Sequence, residues 1–177
     1  MSVENPLIAV LVVSDRAARG EYEDKGGPAA EEWLRRVLTS PVRIRRMIVP
    51  DGTESVAQAL RTLADDERAD LILVTGGTGP APRDQTPEAL DAVIDKRLPG
   101  FGEAMRLASL AEVPTAILSR QDAGIRGRTL IITLPGKPSA IATCLAAVFR
   151  AVPYCLDLTG AARIETDPAF CVAFRPK

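Results

Sequence analysis

A three-layer α/β/α fold with a mostly parallel, doubly wound sheet is what this 177-residue chain predicts. Two observations carry the expectation. The runs 7–13, 70–75 and 129–134 are apolar almost throughout and of strand length, the pattern of strands covered on both faces. The segments between them carry apolar residues at three- and four-residue spacing. Strand and helix therefore alternate, and right-handed crossovers place helices on both sides of the sheet. All of 1–177 reads as one domain, with 152–177 as a C-terminal extension packed on it.

Each element has its own signal. Leu7–Val13 is a buried strand that stops at Ser14 and Asp15. Residues 28–38 have helical spacing and open on Pro28, whose fixed φ and missing N–H suit a first turn; Trp33 lies on the apolar side and is assigned to the core. Val42–Val49 is rich in β-formers and ends at the turn Pro50-Asp51-Gly52. Thr53 caps a helix reaching about Glu67, with Val56, Leu60 and Leu63 on one face. Strand 70–75 stops at Gly76 and Gly77. Thr86 caps a further helix, with Pro87 in its first position and Glu88 favourable to its N-terminal dipole. A helix follows at 101–112. Leu118 to Arg120 is a candidate strand and Gly124 to Gly127 a tight turn. Strand 129–134 leads through Pro135, Gly136, Lys137 and Pro138 to a helix at 139–150.

Composition removes several function classes. Apolar residues make up 46% and charged residues 25%, ordinary for a folded domain. The net charge is −1, which gives no electrostatic footprint for nucleic acid or an anionic membrane. No stretch is read as long enough to cross a membrane. The run 7–13 lacks the basic lead of a secretory signal, and the expected location is cytoplasmic. There is no histidine, so no Ser-His-Asp or Cys-His nucleophile and no His-ligated zinc. Cys144, Cys155 and Cys171 show no metal or disulfide spacing and are assigned to packing.

Chemistry is then left to carboxylates, hydroxyls, Lys, Arg, backbone amides and a hard cation such as magnesium. In open α/β sheets ligands bind beyond the carboxyl ends of the strands. Here those ends carry Ser14 and Asp15, then Asp51, then Gly76-Gly77-Thr78-Gly79, then Pro135-Gly136-Lys137. Glycines at Gly76, Gly77 and Gly79 either make a plain strand-to-helix turn or leave backbone amides open as a phosphate cradle. Asp84 either stabilises the next helix start or faces a cation held at that cradle. Asp51 is either turn chemistry or a second oxygen ligand, and Asp15 is equally two-sided. Arg83, Arg120 and Lys137 are candidate phosphate partners, or solvated surface charges.

At these loops the chain resembles the molybdenum-cofactor biosynthesis family of the MogA/MoaB kind. The resemblance lies in Gly76-Gly77-Thr78-Gly79 followed by Pro82-Arg83-Asp84 and Thr86-Pro87-Glu88. Blocks at 14–16, 24–28, 49–51, 99–103, 118–120, 123–127 and 134–138 agree in order and cover nearly the whole chain. Residues 152–155 and 174–177 are similar to the bacterial MogA branch. The resemblance implies a homotrimer that transfers AMP from Mg-ATP to the terminal phosphate of molybdopterin, releases pyrophosphate and passes the product to a molybdate insertase. It implies Asp51 and Asp84 as catalytic and metal-facing residues. Substrate binding would fall to Ser14, Asp15, Gly76, Gly77, Thr78, Gly79, Arg83, Glu88, Ser109, Ser119, Arg120, Pro135, Gly136 and Lys137. Thr133 and Lys137 stand where family members often have asparagine. A non-catalytic pterin- or nucleotide-binding module of the same fold is the alternative.

Overall fold

The computed structural model describes residues 5–177. Six strands form one sheet: β1 (Leu7–Val13), β2 (Arg43–Val49), β3 (Leu71–Thr75), β4 (Lys96–Arg97), β5 (Ala123–Arg126) and β6 (Thr129–Leu134). Their order is β2-β1-β3-β6-β5-β4. The first four in that order are mutually parallel; β5 and β4 are antiparallel additions at one edge. Parallel pairing is in register across the centre, with Val10 facing Leu73 and Leu73 facing Ile132.

Because successive side chains on a strand point to opposite faces, each central strand feeds two cores. Ile8, Val10, Val12, Leu71, Leu73, Leu130 and Ile132 pack on one side, against helices α2 (Gly26–Val37), α5 (Pro99–Leu110), α6 (Pro138–Val148) and α7 (Val152–Thr159). Leu7, Ala9, Leu11, Val13, Ile72, Val74 and Ile131 pack on the other, against α3 (Thr53–Arg61) and α4 (Thr86–Asp91). This is the three-layer arrangement that uninterrupted apolar strands require. A short helix α1 (Asp15–Ala18) follows β1 directly, with the Ser14 side chain accepting from the Ala17 amide at 3.2 Å.

Several sequence expectations shift. Residues 118–120 are not a strand: Pro114–Leu118 forms a 3₁₀ turn and Ser119 follows in extended conformation. The strand lies at Ala123–Arg126 instead, where a turn was expected. It pairs with β6 through a two-residue connection whose first residue, Gly127, has φ +56°, the glycine-first pattern of tight hairpins. The helix expected to run to Glu67 leaves α-geometry after Arg61 and continues as a π-turn over Thr62–Asp66. Helix α2 starts at Gly26, two residues before Pro28. Trp33 is half-buried and meets Phe149 edge-on with centroids 4.8 Å apart.

The helix expected at 139–150 also runs further. α6 passes through a 3₁₀ turn at Phe149–Ala151 into α7, making a 22-residue helical run from Pro138 to Thr159. By length and composition alone this run could cross a membrane, contrary to the sequence reading. Its Ile141, Cys144, Leu145, Val148, Phe149, Val152 and Leu156 are packed in the core, so it is the hydrophobic spine of one layer. Burial pushes the thiols of Cys144, Cys155 and Cys171 up, which keeps them protonated and suits packing residues.

Past α7 the chain returns along the body. Leu38 and Thr166 form a β-bridge, and Asp167 donates to the Val37 carbonyl at 2.8 Å. Asp70, 3% exposed, closes the end of the sheet away from the glycine loop. Its carboxylate accepts from the Leu7 and Ala162 amides, both at 2.9 Å, and faces Arg128 at 3.2 Å. One buried charge thus ties β1, the C-terminal segment and the β5–β6 turn together. Asp70→Ala leaves the buried Leu7 amide and the part-buried Ala162 amide without their acceptor and removes the partner of Arg128, and is expected to lower unfolding free energy by about 3 kcal/mol in urea titration.

Candidate active site

The carboxyl ends of β2, β1, β3 and β6 lie side by side, and β1 and β3 flank the point where the strand order reverses. Asp15 and Asp51, which follow β1 and β2, exchange hydrogen bonds. The Asp15 amide donates to Asp51 Oδ2 at 2.8 Å, and the Asp51 amide donates to Asp15 Oδ1 at 3.1 Å. Arg83, from the loop after β3, closes the set: its fork meets both Asp15 oxygens at 3.0 Å and its Nη2 reaches the Asp51 carbonyl at 2.7 Å. Three strand-end loops are thereby fixed to one another.

The glycine loop runs between the two predicted catalytic carboxylates. Gly76 and Gly77 have φ +97° and +65°, the left-handed region that glycine enters without a Cβ penalty. A side chain on Gly77 would also have no room: a Cβ there would sit 2.5 Å from Thr86 Oγ1 and 3.2 Å from Asp51 Oδ1. Two residues on, a Cβ at Gly79 would sit 2.7 Å from Asp84 Oδ2. Asp51 and Asp84 therefore flank the same four-residue loop. Each has one oxygen engaged, Asp51 Oδ2 by Asp15 and Asp84 Oδ2 by the Ala81 amide at 3.1 Å, which leaves Oδ1 of each outside these bonds.

The guanidiniums read from the sequence as phosphate partners are committed to the protein. Arg120 donates from Nε to the Gly79 carbonyl at 2.9 Å and from Nη2 to the Asp84 carbonyl at 2.6 Å, and pairs with Glu88. The Arg120 fork holds the Glu88 carboxyl below its ordinary range. Lys25 and Lys137 are the nearby cations whose ammonium groups have no acceptor among the described residues; both are exposed. Lys137 is the N-cap residue of α6, and Gly136 before it packs against Gly76.

Two hollows open here. One of about 150 Å³ lies between Val12, Val13, Ser14, Tyr22, Asp24, Gly26, Thr75, Gly76 and Gly136. A shallower one of about 460 Å³ is bounded by Pro80, Ala81, Pro82, Asp84, Gln85, Glu88 and Arg120. Ser119 stands beside Arg120 with its hydroxyl buried and unpartnered. Ser109 lies apart from these contacts, its Oγ 3.6 Å from Cys144 Sγ between α5 and α6. Thr133 is fully buried, and its hydroxyl accepts from the Asp122 amide at 2.8 Å and donates to the Asp122 carbonyl at 3.0 Å. Thr133 thereby ties β6 to the residue that precedes β5.

Sequence reading missed Thr86 as a site residue, having made it a helix cap. Gln85 is the N-cap, and the Thr86 hydroxyl turns back to the Gly76 carbonyl at 2.9 Å. Its only sequence signal was its position after the glycine loop. Asp24, whose Oδ1 accepts from the Gly27 amide at 3.0 Å, and Tyr22 line the smaller hollow without sitting at a strand end, so sequence reading passed over them.

A glycine turn, paired aspartates and a reversal of strand order define an α/β domain with its candidate site outside the carboxyl ends of its parallel strands. Residues 9–154 match the family described as "Probable molybdopterin binding domain", and the chain belongs to this molybdenum-cofactor biosynthesis family. It is 51% identical over 170 residues to the molybdopterin adenylyltransferase of Helicobacter pylori, covering 96% of this chain and 97% of that one. It is 47% identical over 182 residues to the molybdopterin adenylyltransferase of Escherichia coli K12, covering 96% and 93%. Among solved structures, the molybdopterin biosynthesis enzyme MoaB of Thermus thermophilus superposes with a TM-score of 0.81 at 42% identity, over 90% of this chain and 99% of that one.

The ion pair of Arg83 makes a pH prediction. The guanidinium holds the Asp15 carboxyl below the ordinary aspartate range, chiefly by hydrogen bonding. A depressed folded pKa means the clamp is fully formed above the unfolded carboxyl's pKa and is lost as pH falls through the lower folded value. In an NMR titration the Asp15 carboxyl should therefore titrate below model-peptide aspartate, and Arg83→Gln should return it toward that range.

Proposed function

We propose that the chain is a molybdopterin adenylyltransferase, transferring AMP from Mg-ATP to the terminal phosphate of molybdopterin with release of pyrophosphate. One observation carries the reading: Asp51 and Asp84 lie on the two sides of one glycine loop, at the edge where four parallel strands end. Near-complete coverage of relatives named for this activity supports it.

The chemistry suits a histidine-free chain. A phosphate is already ionised near neutral pH, so the protein need only align two anions and offset their repulsion. In this reading the loop amides of Gly77, Thr78 and Gly79 receive phosphate oxygens, and Lys25 and Lys137 add positive charge at the rim. Arg83 and Arg120 act by holding loops, since both are committed to protein acceptors. Magnesium takes one or two carboxylates together with substrate phosphates, and the open Oδ1 atoms of Asp51 and Asp84 fit that habit. Bound there, it would neutralise phosphate charge.

We extend the reading to a cytoplasmic homotrimer that passes its product to a molybdate insertase, the whole chain acting as one domain. An apolar groove of about 640 Å³, lined by Leu98, Phe101, Ala104, Ala147, Tyr154 and Phe174, is where this reading would seat a second copy.

Purified protein incubated with molybdopterin, ATP and magnesium should release pyrophosphate and yield an adenylylated pterin. Folded protein that binds these compounds without turnover is instead the non-catalytic module. Asp84→Asn should keep its melting temperature and lose most turnover, because an amide cannot replace the charge facing the metal. Wild-type rates in that variant remove Asp84 from the mechanism. Light scattering should give a mass near three times 18.9 kDa, and a monomer would withdraw the trimer.

A further inference from the structure

We propose that Thr86 and Arg120 are positioning residues that set the polarity of the glycine loop, turning the N–H groups of Gly77, Thr78 and Gly79 together toward an anionic substrate group. Four consecutive carbonyls of the loop are held by these two residues. Gly76 O accepts from Thr86 Oγ1 at 2.9 Å and Gly77 O from the Thr86 amide at 3.0 Å. Thr78 O accepts from the Arg120 amide at 2.8 Å and Gly79 O from Arg120 Nε at 2.9 Å.

In a trans peptide the carbonyl and the following N–H point in opposite directions. Pinning the carbonyls of Gly76, Gly77 and Thr78 therefore drives the amides of Gly77, Thr78 and Gly79 to the other side. Those three amides have no acceptor among the described residues, although Thr78 is buried. Backbone N–H groups without an acceptor are uncommon in folded proteins, so three in succession, one in buried Thr78 and two in half-buried glycines, mark where ligand oxygens belong. The run starts at Gly77 because the Gly76 amide is taken by Leu134 O at 3.1 Å. Glycine φ values of +97° and +65° at Gly76 and Gly77 give the loop a backbone path that side-chain-bearing residues rarely adopt.

Both side chains are turned onto the loop backbone, Arg120 while also pairing with Glu88. Thr86 is fully buried, and its hydroxyl serves the loop while Gln85 takes the N-cap of α4. Arg120 spans the Gly79 and Asp84 carbonyls with one guanidinium, so it fixes both ends of the 79–84 segment.

The proposal rests on the transferase reading only for the identity of the anion, so its test uses inorganic pyrophosphate with magnesium, followed by calorimetry. Wild-type protein should bind it. Thr86→Val removes the hydroxyl at nearly constant volume and should weaken binding about tenfold, and Thr86→Ser should recover it to within about twofold. Arg120→Lys keeps the charge but loses the fork, and should weaken binding about tenfold as well. With ATP as substrate the loss should appear chiefly in KM. Thr86→Val or Arg120→Lys binding as wild type, or wild-type protein binding no pyrophosphate, overturns the proposal. Should Thr86→Val fail to fold, Arg120→Lys decides alone. A protein that shows these contrasts but never adenylylates sinks the transferase reading and leaves this one standing; an active enzyme whose variants keep the wild-type KM does the reverse.

Discussion

The mutual hydrogen bonds of Asp15 and Asp51 are the contact on which the rest of the site depends. Each residue gives its amide to the other's carboxylate, so the loops after β1 and β2 cannot shift independently. Arg83 then attaches the loop after β3 to both. Two carboxylates in such proximity repel, and the guanidinium is what makes the arrangement tolerable. Exposed as it is, this cluster adds little to global stability; its consequence is geometric, since it holds Asp51 against the glycine loop.

The same division of labour recurs around the loop. Guanidiniums hold carbonyls and carboxylates, which their planar fork suits, while the compact ammonium groups of Lys25 and Lys137 stay uncommitted. An anion arriving at the loop meets backbone donors that need no rearrangement. Preorganisation of this kind is where an enzyme gains most when the reacting groups are already charged and only their mutual repulsion must be offset.

Stability is located elsewhere. Both faces of β1, β3 and β6 are covered, and the helical run from Pro138 to Thr159 supplies a long apolar ridge to one of them. Asp70 anchors the far end of the sheet, so the binding edge is free of structural duties beyond its own loops. Edge strand β2 presents Arg43, Arg45 and Arg46, charges that discourage pairing with another chain's strand.

The parallel core was legible because burial on both faces leaves continuous apolar runs at 7–13, 71–74 and 129–134, a pattern no surface strand shows. The glycine loop and the aspartates at strand ends were legible for a related reason: turns of unusual backbone need unusual residues. β4 and β5 were not, since a two-residue strand has no periodicity and Ala123–Arg126 reads as a turn until β6 lies beside it. Nor could sequence tell which protein acceptors Arg83 and Arg120 meet, or that Thr86 faces backward onto Gly76 while Ser109 faces Cys144. Residue types announce what bonds a side chain can make. Which acceptor stands within 3 Å of it is settled only when segments dozens of residues apart are packed together, as Asp15, Asp51 and Arg83 are here.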